Sequence, residues 1–112
     1  MIKTGIIEGA GFTGGELIRL LLNHPDVLLV FITGRGNSGQ YIHEVHRGLY
    51  GETELQFAEE PELDKIDLLF LCTDAEESRQ FMETHEIPKK LKIIDFSRAF
   101  RLKDEGNDFI YG

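Results

Sequence analysis

Cysteine is almost absent from this chain of 112 residues, because Cys72 is the only one. An intrachain disulfide is therefore impossible, and a reducing, cytoplasmic setting fits this composition best. No apolar run approaches the roughly 18 residues that a membrane-spanning helix requires. The chain also lacks an opening succession of basic, apolar and small residues, so we expect no secretion through a cleaved signal peptide.

Positive charge is also scarce. Lys and Arg number 12 against 20 Asp and Glu, which gives a net charge of −8. A general nucleic-acid-binding protein needs a basic face, so this balance argues against that class. An acidic chain can still hold a phosphate, because a phosphate-binding loop uses backbone N–H groups. The length corresponds to one domain, which buries about 65% of its unfolded surface and needs no disulfide to hold its core.

Glycine, in contrast, is concentrated near the start of the chain. A predicted strand over residues 3–7 is followed by the turn at 9–14 (G-A-G-F-T-G) and then by an amphipathic helix. In such an element the backbone N–H groups and the positive end of the helix dipole point at one spot, where a diphosphate is the usual occupant. Gly9, Gly11 and Gly14 have the G-x-G-x-x-G spacing of a dinucleotide-binding turn.

Glu8 conflicts with this interpretation. The looser G-x-x-G-x-x-G register would need a glycine at position 8 as well as at positions 11 and 14. A carboxylate at the end of the first strand would face the phosphate, and like charges repel. The alternative is a glycine turn that only lets the strand and the helix pack closely.

Strands and helices alternate along the chain. Apolar runs predict further strands over residues 27–33, 66–72 and 91–96, and helices are predicted over 13–23 and 76–85. This alternation predicts an α/β fold, a Rossmann-like doubly wound parallel sheet in a single domain. The first strand should lie centrally, between the second and third of the long strands. Residues 54–57 predict a weak additional strand, and 41–49 a short helix.

Several segments carry a more specific pattern. The glycine turn continues as G-F-T-G-G-E-L over residues 11–17 and is followed by His24-Pro25; later segments read H-R-G-L at 46–49, L-F-L-C-T at 69–73, D-F-S-R-A-F-R at 95–101 and Y-G at 111–112. In this order and spacing they resemble the amino-terminal part of the N-acetyl-gamma-glutamyl-phosphate reductases, a family grouped with the aspartate-semialdehyde dehydrogenases. The chain departs from that pattern at Glu8, which stands at the first fingerprint glycine, and at Ala75, where the family often has a histidine.

The resemblance implies an NADP-binding domain over residues 1–112, truncated before the catalytic and substrate domain. The reaction of the family is the NADPH-dependent reduction of an acyl phosphate to a semialdehyde in arginine biosynthesis. Its nucleophilic cysteine and its general-acid histidine lie beyond residue 112. We therefore expect an oxidoreductase as the parent protein, no catalytic residue in this chain and no activity of the chain alone. The expected partners are NADP(H) and the missing substrate domain, and the oligomeric state is left open.

The end of the second strand favours NADP over NAD. NAD-specific folds place an Asp or Glu there to bind the ribose hydroxyls, whereas this chain has Arg35 with small polar neighbours. An arginine suits a 2′-phosphate through charge-assisted hydrogen bonds, and a solvated loop arginine is the alternative. The expected cofactor-binding residues are Gly9, Ala10, Gly11, Phe12, Thr13, Gly14, Arg35, Ser38, Thr73, Ser78 and Ser97.

Other side chains predict little chemistry. Cys72 ends an apolar strand with no histidine nearby in the sequence, so we expect a buried structural thiol. His43 and His46 could share a helix face, but zinc requires at least one further ligand, and we expect no metal site. Two other classes stay open: a non-catalytic nucleotide-binding module, and a folded fragment that binds no ligand. A phosphoryl-receiver domain is disfavoured, because residues 95–98 supply no lysine.

Overall fold

A parallel sheet forms the centre of the molecule. The computed structural model describes residues 1–98. Its strands are β1 (Ile2–Ile7), β2 (Val27–Ile32), β3 (Leu68–Leu71) and β4 (Lys92–Asp95). They pair in the order β2-β1-β3-β4, and every pairing is parallel. The predicted Rossmann-like sheet, with the first strand between the second and the third, is therefore confirmed.

Helices connect these strands. They are α1 (Phe12–Leu22), α2 (Ile42–Val45) and α3 (Ala75–Thr84), and short 3₁₀ turns follow at Arg47–Leu49, Leu63–Lys65 and Phe96–Arg98. The two long helices lie within one residue of their predicted bounds at either end, and the short predicted helix is also present. Helix α1 ends before Pro25, since the residue before a proline disfavours the helical conformation. The parts of the family-like motifs at residues 99–101 and 111–112 lie outside the described residues.

The weak strand predicted over residues 54–57 is wrong. Gln56 makes only an isolated bridge to Tyr41, and Ala58 makes another to Thr33. The reason is that the backbone hydrogen bonds of this segment are made with residues outside the sheet. The N–H of Phe57 donates to the Gln40 carbonyl, and the Phe57 carbonyl accepts from Gly39. The segment therefore pairs with the loop after β2 instead of extending the sheet.

The two faces of the sheet carry separate cores. Neighbouring residues of one strand point to opposite faces, and Ile6 accordingly packs in one buried cluster and Ile7 in the other. Helix α1 contributes Ile18 to the first cluster, while α3 contributes Phe81 to the second. Helices on both faces are what the predicted doubly wound arrangement requires. Among residues 1–98, no helix combines the length and the apolar character needed to cross a bilayer.

Candidate functional site

The turn after β1 brings two backbone segments unusually close together. The N–H of Gly9 donates to the Thr33 carbonyl at 2.7 Å, which ties the turn to the end of β2. A Cβ atom placed on Gly14 would lie 2.5 Å from the Cα of Gly9, which is too close for any side chain. Glycine at position 14 therefore lets the first turn of α1 pack directly on the loop.

The N-terminus of α1 is open. Its N-cap is Gly11, which has no side chain to accept a hydrogen bond, and its first turn holds no acidic residue. The first N–H groups of a helix have no intrahelical partner, so those of Phe12, Thr13 and Gly14 are available to an external acceptor. Gly11, Phe12 and Thr13 are also exposed. Such a terminus suits an anionic group of a ligand.

Helix α3 differs in this respect. Its N-cap, Asp74, accepts a hydrogen bond from the N–H of Glu77 at 2.8 Å, and the Glu77 carboxylate accepts from the N–H of Asp74 at 3.1 Å. This reciprocal capping box satisfies the terminus with the chain's own carboxylates. Of the two long helices, only α1 leaves its first turn free for a ligand.

Glu8 has a left-handed backbone, with φ of 65°. Residues with a Cβ rarely adopt this conformation and glycine adopts it freely, which accounts for the glycine that the resembled family has there. The Glu8 carboxylate accepts a hydrogen bond from the backbone N–H of Arg35 at 3.2 Å, and it lies 3.9 Å from the Nε of that residue. The charge that sequence reasoning placed against a phosphate is thus directed towards the end of β2.

Arg35 bridges two carboxylates. Its Nη2 donates to Oε2 of Glu77 at 2.8 Å, while Glu8 lies on its other side. The hydrogen bond to Glu77 and the charge of Glu8 raise the pKa of the guanidinium, which therefore stays cationic. The side chain is 70% exposed, so solvent screens both pairs and each contributes little to stability. Arg35 is accessible to a ligand, but a phosphate would compete with two carboxylates for it.

A cavity of about 480 Å³ lies beside Arg35, and we call it the Arg35 cavity. Glu8 and Ser38 also line it, together with the buried aromatic ring of Phe81. Its volume is in the range of small-molecule sites. The cavity joins two of the predicted residues, Arg35 and Ser38, to Glu8, which sequence reasoning had treated as part of the neighbouring loop.

The other three predicted residues lie together at the ends of β3 and β4. Thr73 Oγ1 lies 2.6 Å from Ser78 Oγ, and the Ser78 hydroxyl donates to Oδ1 of Asp95 at 3.0 Å. The N–H of Ser97 donates to the same oxygen at 2.8 Å. Asp95 thus organises this group, and sequence reasoning did not select it. Its position at the end of an apolar strand, two residues before Ser97, was the available signal.

All the predicted residues therefore lie at the carboxyl edge of the sheet. The glycine turn follows β1, Arg35 and Ser38 follow β2, and the Thr73 group follows β3 and β4. Ligands of open parallel sheets bind at this edge. The structure thus gathers into one region residues that lie up to about 90 positions apart in the sequence.

The side chains without an expected ligand role have other contacts. Burial raises the pKa of the Cys72 thiol to about 12, so the thiol is not ionised at neutral pH and is a poor nucleophile. His43 stacks on Tyr41 at 5.2 Å between ring centroids and meets Tyr50 edge-on. His46 lies elsewhere, with its Nε2 2.6 Å from the Gly9 carbonyl oxygen. Within residues 1–98, no cluster of three or more metal-ligating side chains occurs.

Comparisons with known proteins agree on one group. Residues 3–112 match the family model described as semialdehyde dehydrogenase, NAD binding domain. Over its full length the chain is 56% identical to the N-acetyl-gamma-glutamyl-phosphate reductases of Bacteroides thetaiotaomicron and Phocaeicola vulgatus, and 40% identical to that of Christiangramia forsetii. In each case it covers 35% of the relative, so the chain spans about a third of the length of these curated relatives.

A solved structure shares the fold. The aspartate semialdehyde dehydrogenase of Candida albicans, crystallised with NADP, aligns with a TM-score of 0.70 at 17% identity. The alignment covers 90% of this chain and 31% of that one. The likeness confirms the α/β architecture derived from the strand order.

Proposed function

The chain belongs to the semialdehyde dehydrogenase, NAD binding domain family, and from that premise we propose that it binds NADP(H) at the carboxyl edge of its sheet. The observation that carries the proposal is the open N-terminus of α1, whose N-cap Gly11 leaves the first-turn N–H groups free for a diphosphate. Arg35 and Ser38, in the Arg35 cavity, would bind the 2′-phosphate.

The remaining roles follow from position. Ala10 to Gly14 would hold the diphosphate through backbone N–H groups. The group formed by Thr73, Ser78 and Ser97 would orient the far end of the cofactor, with Asp95 accepting hydrogen bonds from the Ser78 hydroxyl and from the Ser97 N–H. The bound cofactor supplies a hydride, and the residues of this chain bind and orient it.

For the whole protein, we propose an N-acetyl-gamma-glutamyl-phosphate reductase of the cytoplasm, which reduces an acyl phosphate to a semialdehyde in arginine biosynthesis. The relatives that carry this name support the assignment. Residues 1–112 would be its cofactor-binding domain. Such a reaction needs a thiolate nucleophile, and the one thiol of this chain is kept neutral by burial. The nucleophile would therefore come from the remaining part of the parent enzyme.

A folded domain that does not bind the cofactor is the second candidate, and the state of Arg35 favours it. The guanidinium is already paired with Glu77 and lies beside Glu8. A 2′-phosphate would displace these carboxylates and would itself be repelled by them.

The test is a titration of the purified chain with NADPH by calorimetry and by ¹⁵N NMR. We expect saturable binding, with the largest amide shifts at Gly11 to Gly14 and at Arg35. NADH, which lacks the 2′-phosphate, is the matched control and should bind more weakly. Binding without shifts in the glycine turn would overturn the assigned site, and the absence of binding would establish the second candidate.

A further inference from the structure

His46 contacts the glycine turn from across the fold. It follows α2 directly, and its Nε2 lies 2.6 Å from the carbonyl oxygen of Gly9. A carbonyl can only accept, so the ring carries its proton on Nε2 and donates it. The two residues are separated by 37 positions in the sequence.

The ring is held on its other sides as well. A Cβ on Gly15, in the first turn of α1, would lie 2.6 Å from Nδ1 of His46, so the imidazole rests directly on the helix backbone. The ring also faces Phe57, with centroids 6.5 Å apart, and Phe57 is only 2% exposed. His46 therefore fills the space between the turn, the start of α1 and the buried segment that pairs with the loop after β2.

The Gly9 residue is anchored on both sides by these contacts. Its N–H donates to Thr33 and its carbonyl accepts from His46. A peptide unit is planar and trans, so fixing the carbonyl of Gly9 also fixes the opposite direction of the Ala10 N–H. The Gly9–Ala10 peptide directly precedes Gly11 and the first turn of α1, whose N–H groups form the open N-terminus of that helix.

We propose that His46 is a positioning residue for cofactor binding, which acts through Gly9 and does not touch the ligand. Its hydrogen bond sets the plane of the Gly9–Ala10 peptide, and the contact with Gly15 sets the distance between the turn and α1. The turn is thereby ordered before the diphosphate arrives, and the entropy cost of binding falls. This inference rests on the proposed binding of NADP(H).

The test compares His46→Gln with His46→Leu. Glutamine retains an N–H donor that reaches the Gly9 carbonyl, whereas leucine keeps the apolar volume without a donor. We expect His46→Leu to weaken NADPH binding by about tenfold, since the turn must then be ordered when the cofactor binds, and His46→Gln to restore most of the affinity. A purely structural role would lower the Tm of both variants without this recovery of affinity.

Two further measurements keep the outcome decisive. In the free chain, ¹⁵N NMR should show a proton on Nε2 of His46. Gly15→Ala, whose new Cβ would displace the ring, should weaken NADPH binding while alanine favours the helix. Equal NADPH affinity of wild type and His46→Leu, or an Nε2 that carries no proton, would overturn this inference alone. Failure of the wild-type chain to bind NADPH would instead overturn the proposed function.

Discussion

Glu8 is the residue whose conformation and charge disagree most with a cofactor turn. A residue with a Cβ costs about 1–2 kcal/mol in the left-handed region, and Glu8 has φ of 65°. Its ion pair with Arg35 recovers little of that cost, because the Nε is 3.9 Å away and the arginine is largely exposed. Position 8 therefore favours glycine on backbone grounds as well as on electrostatic grounds.

Glu8→Gly should raise both stability and affinity. Relief of the backbone should stabilise the fold by about 1 kcal/mol. Removal of the like charge should tighten NADPH binding by about 1–2 kcal/mol. Glu8→Gln is the matched control, since it removes the charge and keeps the strained backbone; it should tighten binding without raising the Tm. The measurements are calorimetric Kd and thermal midpoint. Unchanged or weaker NADPH binding by both variants would show that the carboxylate does not oppose the cofactor.

At the scale of the elements, the N-termini of the two long helices differ for a physical reason. Asp74 and Glu77 satisfy the first turn of α3, whereas Gly11 leaves the first turn of α1 unsatisfied. A glycine at the N-cap costs roughly a few tenths of a kcal/mol relative to a residue whose side chain caps the helix. The missing cap on α1 thus sacrifices local stability at the place where a ligand can supply the acceptor.

Gly11→Ser should separate stability from binding. Gly11 has φ of −80° and ψ of −179°, which suits a serine cap, and a Cβ there meets no atom within 4 Å. The serine hydroxyl should cap α1 and stabilise it by a few tenths of a kcal/mol. It should also weaken NADPH binding, because it occupies the same N–H groups and blocks the close approach of the diphosphate.

Gly11→Ala is the control for this change. It adds the same Cβ without an acceptor, so it should weaken NADPH binding and leave the fold about 1 kcal/mol less stable than the serine variant. Thermal unfolding and NADPH titration of the three proteins give the comparison. Serine and alanine variants that bind NADPH as tightly as wild type would contradict a diphosphate at the N-terminus of α1.

At the scale of the whole molecule, the proposed function assigns cofactor binding to this chain and the chemical step to another part of the parent enzyme. Its relatives are about three times as long. Its one thiol is half-buried, and desolvation raises its pKa to about 12. His46 contacts the Gly9 carbonyl, and His43 stacks on Tyr41. Under the proposed function, this chain therefore binds the cofactor, and turnover requires the rest of the parent enzyme.

Residues 1–112 should show no substrate-dependent oxidation of NADPH. The expected result is a background rate, measured by NADPH absorbance with N-acetyl-gamma-glutamyl phosphate present. The full-length reductase of Bacteroides thetaiotaomicron, assayed in parallel, shows that the substrate is competent. Turnover by the short chain above the background without substrate would mean that it contains a catalytic group.

The sequence by itself determined the parallel α/β fold, the order of the strands around β1, the glycine turn before α1 and the resemblance to the reductases. These features depend on short-range patterns, such as apolar runs, helical periodicity and the need for glycine where backbones meet. Only the tertiary structure showed that the carboxylate of Glu8 turns towards Arg35 and that His46 donates to Gly9. It also showed that Asp95 accepts from the Ser78 hydroxyl and the Ser97 N–H, and that residues 54–57 pair with a loop. Each of these contacts joins side chains or backbone atoms from separate segments, and which segments meet is decided by how the strands and helices pack.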